Sequence, residues 1–190
     1  MKDDKFLFLI FIGGRAPKAN IELHDVRWEV GSKIEDTFDS LRNNWFGSPN
    51  GLHIDSYKKI EWVDGYKINL RRIKKDSTKK INFNNNEKNK NKLWFVNLGG
   101  YERDSMQERH EFGFVVAKNS QDAKKIAKSK WLLGYRKTHQ DNLSLVEKIS
   151  DVDDCEVIKN LDHWEIDLKL EDELNDQDNS PDWFGYMKLD

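Results

Sequence analysis

Hydrophobic and polar positions along this chain fall into blocks that occur twice. An apolar run at residues 6–12 ends at Gly13-Gly14, and a second at residues 93–98 ends at Gly99-Gly100. Apolar runs of this length, broken only by Asn97 in the second, predict strands buried on both faces. Each is followed by a segment of period two. Val26, Trp28 and Val30 share one face with Arg27 and Glu29 on the other, and Phe112, Phe114 and Val116 repeat the apolar half of that pattern. Helical spacing comes next. Ile34, Phe38, Leu41 and Trp45 make one stripe, and Ala123, Ile126, Ala127 and Trp131 make another. Ser32 with Glu35 has the spacing of a capping box, Ser120 stands where the second cap is expected, and Gly47 and Gly134 are the expected stops. Residues 52–63 with 66–73, and 155–161 with 164–170, then read as two hairpins. The first turns at Asp64-Gly65, and the second, with weaker turn chemistry, at Asp162-His163. The pattern predicts an α+β protein formed by tandem duplication of a ββαββ unit, packed as an internal pseudo-dimer.

The two units match residue by residue. Leu7, Gly13, Gly14, Glu22, His24, Val30, Asp36, Trp45, His53 and Asp55 recur at an offset of 86 as Leu93, Gly99, Gly100, Glu108, His110, Val116, Asp122, Trp131, His139 and Asp141. Average composition would give only about three identities over so short a stretch. Residues 63–70 match 161–168 at an offset of 98, so twelve residues are inserted in the second copy. They are expected near residues 143–154, where Ser144, Ser150, Asp151, Asp153 and Asp154 point to a solvated excursion. The expected divisions are a first repeat at 1–73, an Asn- and Lys-rich linker at 74–92, a second repeat at 93–170 and an acidic, aromatic tail at 171–190.

Charge narrows the partners. With 32 basic and 34 acidic residues in a chain of 190, no global field draws the protein to nucleic acid. No apolar run approaches the roughly 20 residues of a membrane span. Residues 6–12 follow Asp3 and Asp4, no small-residue cleavage pattern comes after them, and their mid-chain counterpart marks them as a strand rather than a signal peptide. Cys155 has no cysteine partner, which fits a reducing, cytoplasmic location. The tail carries Trp183, Phe184 and Tyr186 among seven acidic residues. Its aromatics are expected to dock on the body of the same chain, the alternative being a partner-recognition peptide.

The candidate polar site comprises Glu22, His24 and Asp25 with His53 and Asp55, and its image Glu108, His110, Glu111, His139 and Asp141. Spacing of two puts Glu22 with His24, and His53 with Asp55, on common sides of extended backbone. Two histidines and a carboxylate suffice to ligate zinc or iron, and the same groups can act as general acid and base. Alternation counts against a single cluster, because His53 and Asp55 lie opposite Leu52, Ile54, Ile60 and Trp62. A shared site therefore needs a sheet exposed on that face or a break in register. Such residues also serve as turn-stabilising hydrogen-bond partners. The Gly pairs lack any Gly-x-Gly-x-x-Gly or Walker pattern, and no nucleophile elbow, zincin motif or cysteine pair is present.

Phe11-Ile12-Gly13-Gly14, Ala19-Asn20-Ile21-Glu22-Leu23-His24-Asp25, Trp45-Phe46-Gly47, Leu52-His53-Ile54-Asp55, Val63-Asp64-Gly65-Tyr66 and Phe95-Val96-Asn97-Leu98-Gly99-Gly100-Tyr101 together resemble the bacterial domain-of-unknown-function 1543 family. Members are described as carrying one or two copies of the domain. The resemblance covers roughly residues 6–170 and implies duplication, with no activity, cofactor or catalytic residue attached. Glu111 departs from the Asp of the first copy, which matters little to a hydrogen bond and more to a metal ligand of fixed reach.

These observations favour a binding or interaction module that uses the matched Glu/His/Asp positions on an unknown ligand or protein partner. The alternative is an enzyme, either metal-dependent or a metal-free His–carboxylate acid/base catalyst. The sequence names neither a cofactor nor an oligomeric state.

Overall fold

The computed structural model describes residues 4–73, 90–101, 106–138, 148–161, 163–171 and 180–189. The first apolar run is strand β1 (Phe6–Gly14), set antiparallel between β2 (Leu23–Gly31) and β3 (His53–Ile60). The outer edge of β3 is taken by β11 (Trp183–Lys188), so part of the tail docks on the body as expected. As a central strand, β1 is apolar on both sides. Its even-numbered Phe8, Ile10 and Ile12 belong to a core with Ile34, Leu41, Trp45, Leu52, Ile54 and Leu189. Each such side chain, fully buried, contributes on the order of 1.5–3 kcal/mol. Strand β2 turns its apolar residues the other way, for Val26, Trp28 and Val30 stand opposite Phe11, Leu9 and Leu7.

Strand β3 contains the break in register that a shared site requires. Ile54 faces Ile12 while Ser56 faces Phe11, leaving Asp55 as the extra residue of a bulge. Alternation is thereby reset. Ile54 stands opposite Ile12 on the core side, whereas Ile60 stands opposite Leu7 on the other. The apolar residues of β3 therefore do not define one face, contrary to the uninterrupted count along the sequence.

The helices begin and end differently from the capping signals. In the first copy a 3₁₀ turn (Ile34–Thr37) leads into α1 (Phe38–Asn44), and Lys33 at the N-cap makes no side-chain bond. The Ser32–Glu35 box is absent; instead the Asp36 carboxylate accepts a bond from the Ser32 N–H at 2.8 Å. The helix stops at Asn44 because Trp45 is already extended, ahead of Gly47. In the second copy α2 (Ser120–Thr138) is capped by Asn119, whose Oδ1 accepts the Asp122 N–H at 2.9 Å, rather than by Ser120. It runs past Gly134, since an interior glycine costs only about 1 kcal/mol and does not oblige a stop.

The second copy centres on β6 (Lys92–Tyr101), between β7 (Glu108–Ala117) and β8 (Lys148–Val157). Its core joins Val96, Leu98, Val115 and Ala117 to the α2 residues Ala123, Ala127 and Trp131. The bulge recurs. Asn97 faces Asp154 and Leu98 faces Val152, leaving Asp153 over, so the ladder repeats that of the first copy at offset 86 in β6 and 98 in β8. The extra residues thus precede Val152, and the solvated excursion expected at 143–154 is corrected by a strand spanning most of it.

The predicted hairpin of residues 52–63 with 66–73 is confined to β4 (Trp62–Val63) and β5 (Tyr66–Arg72), turning at Asp64 and Gly65 with φ of 54° and 79°. They form a sheet with β10 (Trp164–Leu170) and β9 (Asn160–Leu161) in the order β4-β5-β10-β9. In the β5–β10 ladder Asn69 faces Asp167, its own counterpart at offset 98. The flanking bonds match too: Ile73 N–H to the His163 carbonyl at 2.7 Å, and Glu171 N–H to the Gly65 carbonyl at 3.2 Å. The molecule divides into one unit of residues up to Ile73 with those from Leu161 onward, and a second running up to Asn160. The class is α+β, rich in sheet. Among the described residues no helix is long and apolar enough to cross a membrane.

Candidate functional site

The ends of β1, β2 and β3 converge at Gly13, which pairs with His24 on one side and His53 on the other. All three residues therefore share one face of the sheet, the face away from α1. A Cβ built on Gly13 would lie 2.8 Å from both His24 Cδ2 and His53 Nε2 and 2.9 Å from His24 Nε2. The glycine is what lets two imidazoles close over the strand.

Two carboxylates complete the cluster. Glu22 Oε1 lies 3.6 Å from His24 Nε2 and 3.5 Å from His53 Nε2. The bulge turns Asp55 to the same face, with Oδ2 3.3 Å from His24 Nε2 and Oδ1 3.2 Å from His53 Nε2. These separations are long for hydrogen bonds between charged groups, which run about 2.7–2.9 Å. Asp55 Oδ2 is buried and without a hydrogen-bond partner.

The His53 ring is held from behind. Its Nδ1 lies 2.8 Å from the Gly51 carbonyl, which only accepts, so Nδ1 donates to it and Nε2 faces the cluster. Gly51 can present that carbonyl because its φ of 79° suits a residue without a side chain. Tyr186 stacks on His53 at 4.0 Å and Phe11 on His24 at 5.3 Å. His53 is 1 % exposed, whereas the His24 and Glu22 side chains are 40 % and 38 % exposed. The cluster is closed beneath and open at its mouth.

Asp25 stays out of it. Its partner in the ladder is Ile12, so it faces the α1 side, where its carboxylate meets Arg27 at 2.7 Å. Glu111 follows the same parity opposite Leu98, and burial there pushes its carboxyl pKa up. In the second copy His110 lies between two carboxylates, with Nε2 4.0 Å from Glu108 and Nδ1 3.6 Å from Asp153. A Cβ on Gly99 would run into the carboxylates of Asp153 and Glu108. Asp153 is the bulge residue matching Asp55; at the same offset of 98 Asp151 corresponds to His53, but the ladder shifts register again between Leu98 and Gly100. His139 and Asp141 lie outside the described residues.

Two members of the site escaped sequence reasoning. Asp153 was hidden by an alignment carried on at offset 86 where the ladder has moved to 98, and Tyr186 by the tail's lack of any repeat partner. Cys155 has no part in the cluster; burial raises its thiol pKa, with Lys124 opposing, which disfavours a nucleophile.

The family model described as "Domain of Unknown Function (DUF1543)" matches residues 19–70 and 105–167. The crystal structure of a protein Il1583 from Idiomarina loihiensis is similar at 34 % identity with a TM-score of 0.70, over 98 % of this chain and 99 % of that one. Nothing among curated proteins matches the chain.

Proposed function

The chain belongs to the domain-of-unknown-function 1543 family, and from that premise we propose that it is a metal-binding module whose first copy holds one divalent ion of the zinc or iron(II) class. Glu22, His24 and His53 are its ligands, with Asp55 beside both imidazoles. One observation carries the reading: a single oxygen, Glu22 Oε1, lies 3.6 Å from His24 Nε2 and 3.5 Å from His53 Nε2. Tetrahedral ligation with bonds of about 2.0–2.2 Å puts donor atoms about 3.3–3.6 Å apart. Glu22, His24 and His53 each offer a ligand atom within 4.8 Å of the others. The Gly51 carbonyl behind His53 supplies the outer hydrogen bond that metal-binding imidazoles characteristically make. Imidazole with carboxylate suits zinc and iron(II) better than the harder magnesium or calcium.

A metal-free acid/base pair uses the same groups, with Asp55 3.2 Å from His53 and 3.3 Å from His24. The convergence of both imidazoles on one Glu22 oxygen favours the metal. A cytoplasmic location and an origin by duplication of a ββαββ unit, with repeats at 1–73 and 93–170, belong to the same proposal. They are supported by the solitary Cys155 and by ladders that match at offsets 86 and 98.

The test is zinc titration of the metal-free chain with elemental analysis of the complex. Wild type is expected to take up one equivalent, and His24→Ala and His53→Ala to lose it while keeping the wild-type circular dichroism. Equal uptake by wild type and a folded double variant would remove the site.

A further inference from the structure

A segment outside both copies closes the site. In the β11–β3 ladder Lys188 faces His53 and Met187 faces Ile54, while Tyr186 lays its ring over the His53 imidazole at 4.0 Å and 29° to its plane. The strand is firmly anchored. Trp183 and Met187 pack against the core that contains Leu189, which is 1 % exposed. The Leu189 N–H donates to the Leu52 carbonyl at 2.9 Å, and the Arg42 guanidinium donates to the Leu189 carbonyl. At the other end the Asp182 N–H donates to the Tyr57 carbonyl at 3.0 Å and its carboxylate accepts the Lys59 N–H at 2.7 Å. Tyr186 itself is 58 % exposed, so its ring contributes little to that core and is spent mainly on His53.

We infer that β11 is part of the metal site, with Tyr186 as the positioning residue that holds His53 for coordination, and that tail docking and metal binding are thermodynamically linked. This deepens the metal reading and rests on it. A histidine free to rotate at a strand end loses rotamer freedom when it ligates, and a ring already fixed by a stacked tyrosine and a carbonyl does not. Whatever affinity the metal gains from a fixed His53 it returns as stability of the docked strand, because coupling between two binding events is reciprocal. The sheet of the second copy has the order β7-β6-β8, with no described strand outside β8. The residue there at offset 98 from His53 is Asp151.

The experiment compares full-length wild type, Tyr186→Ala and Tyr186→Phe in zinc competition against a chromophoric chelator. Amide hydrogen exchange across residues 183–189 is measured with and without zinc. Tyr186→Ala should bind zinc about 10- to 100-fold more weakly, the range for loss of an outer partner of a ligand. Tyr186→Phe, which keeps the ring, should bind as wild type does, and zinc should slow exchange across β11 in wild type. Zinc affinity unchanged in Tyr186→Ala, or β11 exchange indifferent to zinc, overturns the linkage while leaving the metal site intact. Wild type that takes up no zinc overturns the metal reading and this inference together. Should Tyr186→Ala fail to fold, the exchange measurement on wild type decides alone.

Discussion

At the end of β1, Gly13 lies between two histidines whose Nε2 atoms meet two carboxylates. At the end of β6, Gly99 lies beneath the carboxylates of Glu108 and Asp153, with His110 between them, one ring nitrogen toward each. The glycine floor, the bulge and the ladder as far as Val152 are shared. What differs is a further register shift beyond Leu98, Asp151 at the offset of His53, and, among the described residues, the strand β11 on β3. The first gathers two imidazoles and two carboxylates, the second one imidazole and two carboxylates. The two matched regions thus share a glycine and a bulge while the side chains around them differ.

The contrast breaks most sharply at the glycines. Gly13→Val would place atoms where both imidazoles now sit, and is expected to abolish zinc uptake, whereas Gly99→Val should leave the stoichiometry of uptake unchanged. Elemental analysis of the two purified variants checks this, and equal losses would dissolve the distinction between the copies. At the matched bulges, Ile54 is fully buried and Val152 is only partly so. Ile54→Ala should cost about 2–5 kcal/mol, and Val152→Ala about 1 kcal/mol, in denaturant unfolding.

The carboxylates should sharpen the comparison through pH. The Ser32 N–H, with help from Lys5, holds the Asp36 carboxyl below its ordinary range, so its stabilisation is present above the ordinary carboxylate pKa and is lost as pH falls through the lowered value. Burial does the reverse to Glu111: its raised pKa means stability is full in acid and declines as pH rises through that value. Asp36→Asn should therefore destabilise at neutral pH and have little effect in acid. Glu111→Gln should stabilise at neutral pH, with the gain gone in acid. Thermal melts at both pH values test the opposite signs. The smallest effect is expected from Asp151→His, which puts an imidazole at the matched offset without, among the described residues, a strand to cover it. It should add a weak second zinc event in calorimetry, and a second site as tight as the first would show that β11 is dispensable.

Much of this was legible in the sequence because apolar period and local repeats report backbone directly. The two central strands, the helix stripes and the Asp64-Gly65 turn follow from such signals. Glu22, His24, His53 and Asp55 stand out from the repeat alone, and alternation rightly sets His53 opposite Ile54; what it misses is that β2 turns its apolar side, and His24 with it, away from α1 to the face of His53, and that a bulge brings Asp55 round to join them. A bulge is an insertion in one strand relative to another, and no single strand records it. Asp25 and Glu111 adjoin histidines in sequence, but strand parity turns them to the opposite face. The helix caps differ from the sequence signals because Ser, Asn and Asp compete for the same N–H groups, and packing chooses among them.

The β5–β10 ladder has a broader implication. Asn69 meets its own image at Asp167, so the contact is self-complementary in the way a two-fold interface between identical subunits is. A relative with a single domain copy would leave that strand edge bare, an invitation to aggregation unless it is covered. The geometry supplies the cover: an identical chain, turned about the same axis. One-copy members of the family should accordingly elute as homodimers, and a protease cut between the two copies of this chain should yield two fragments that travel together.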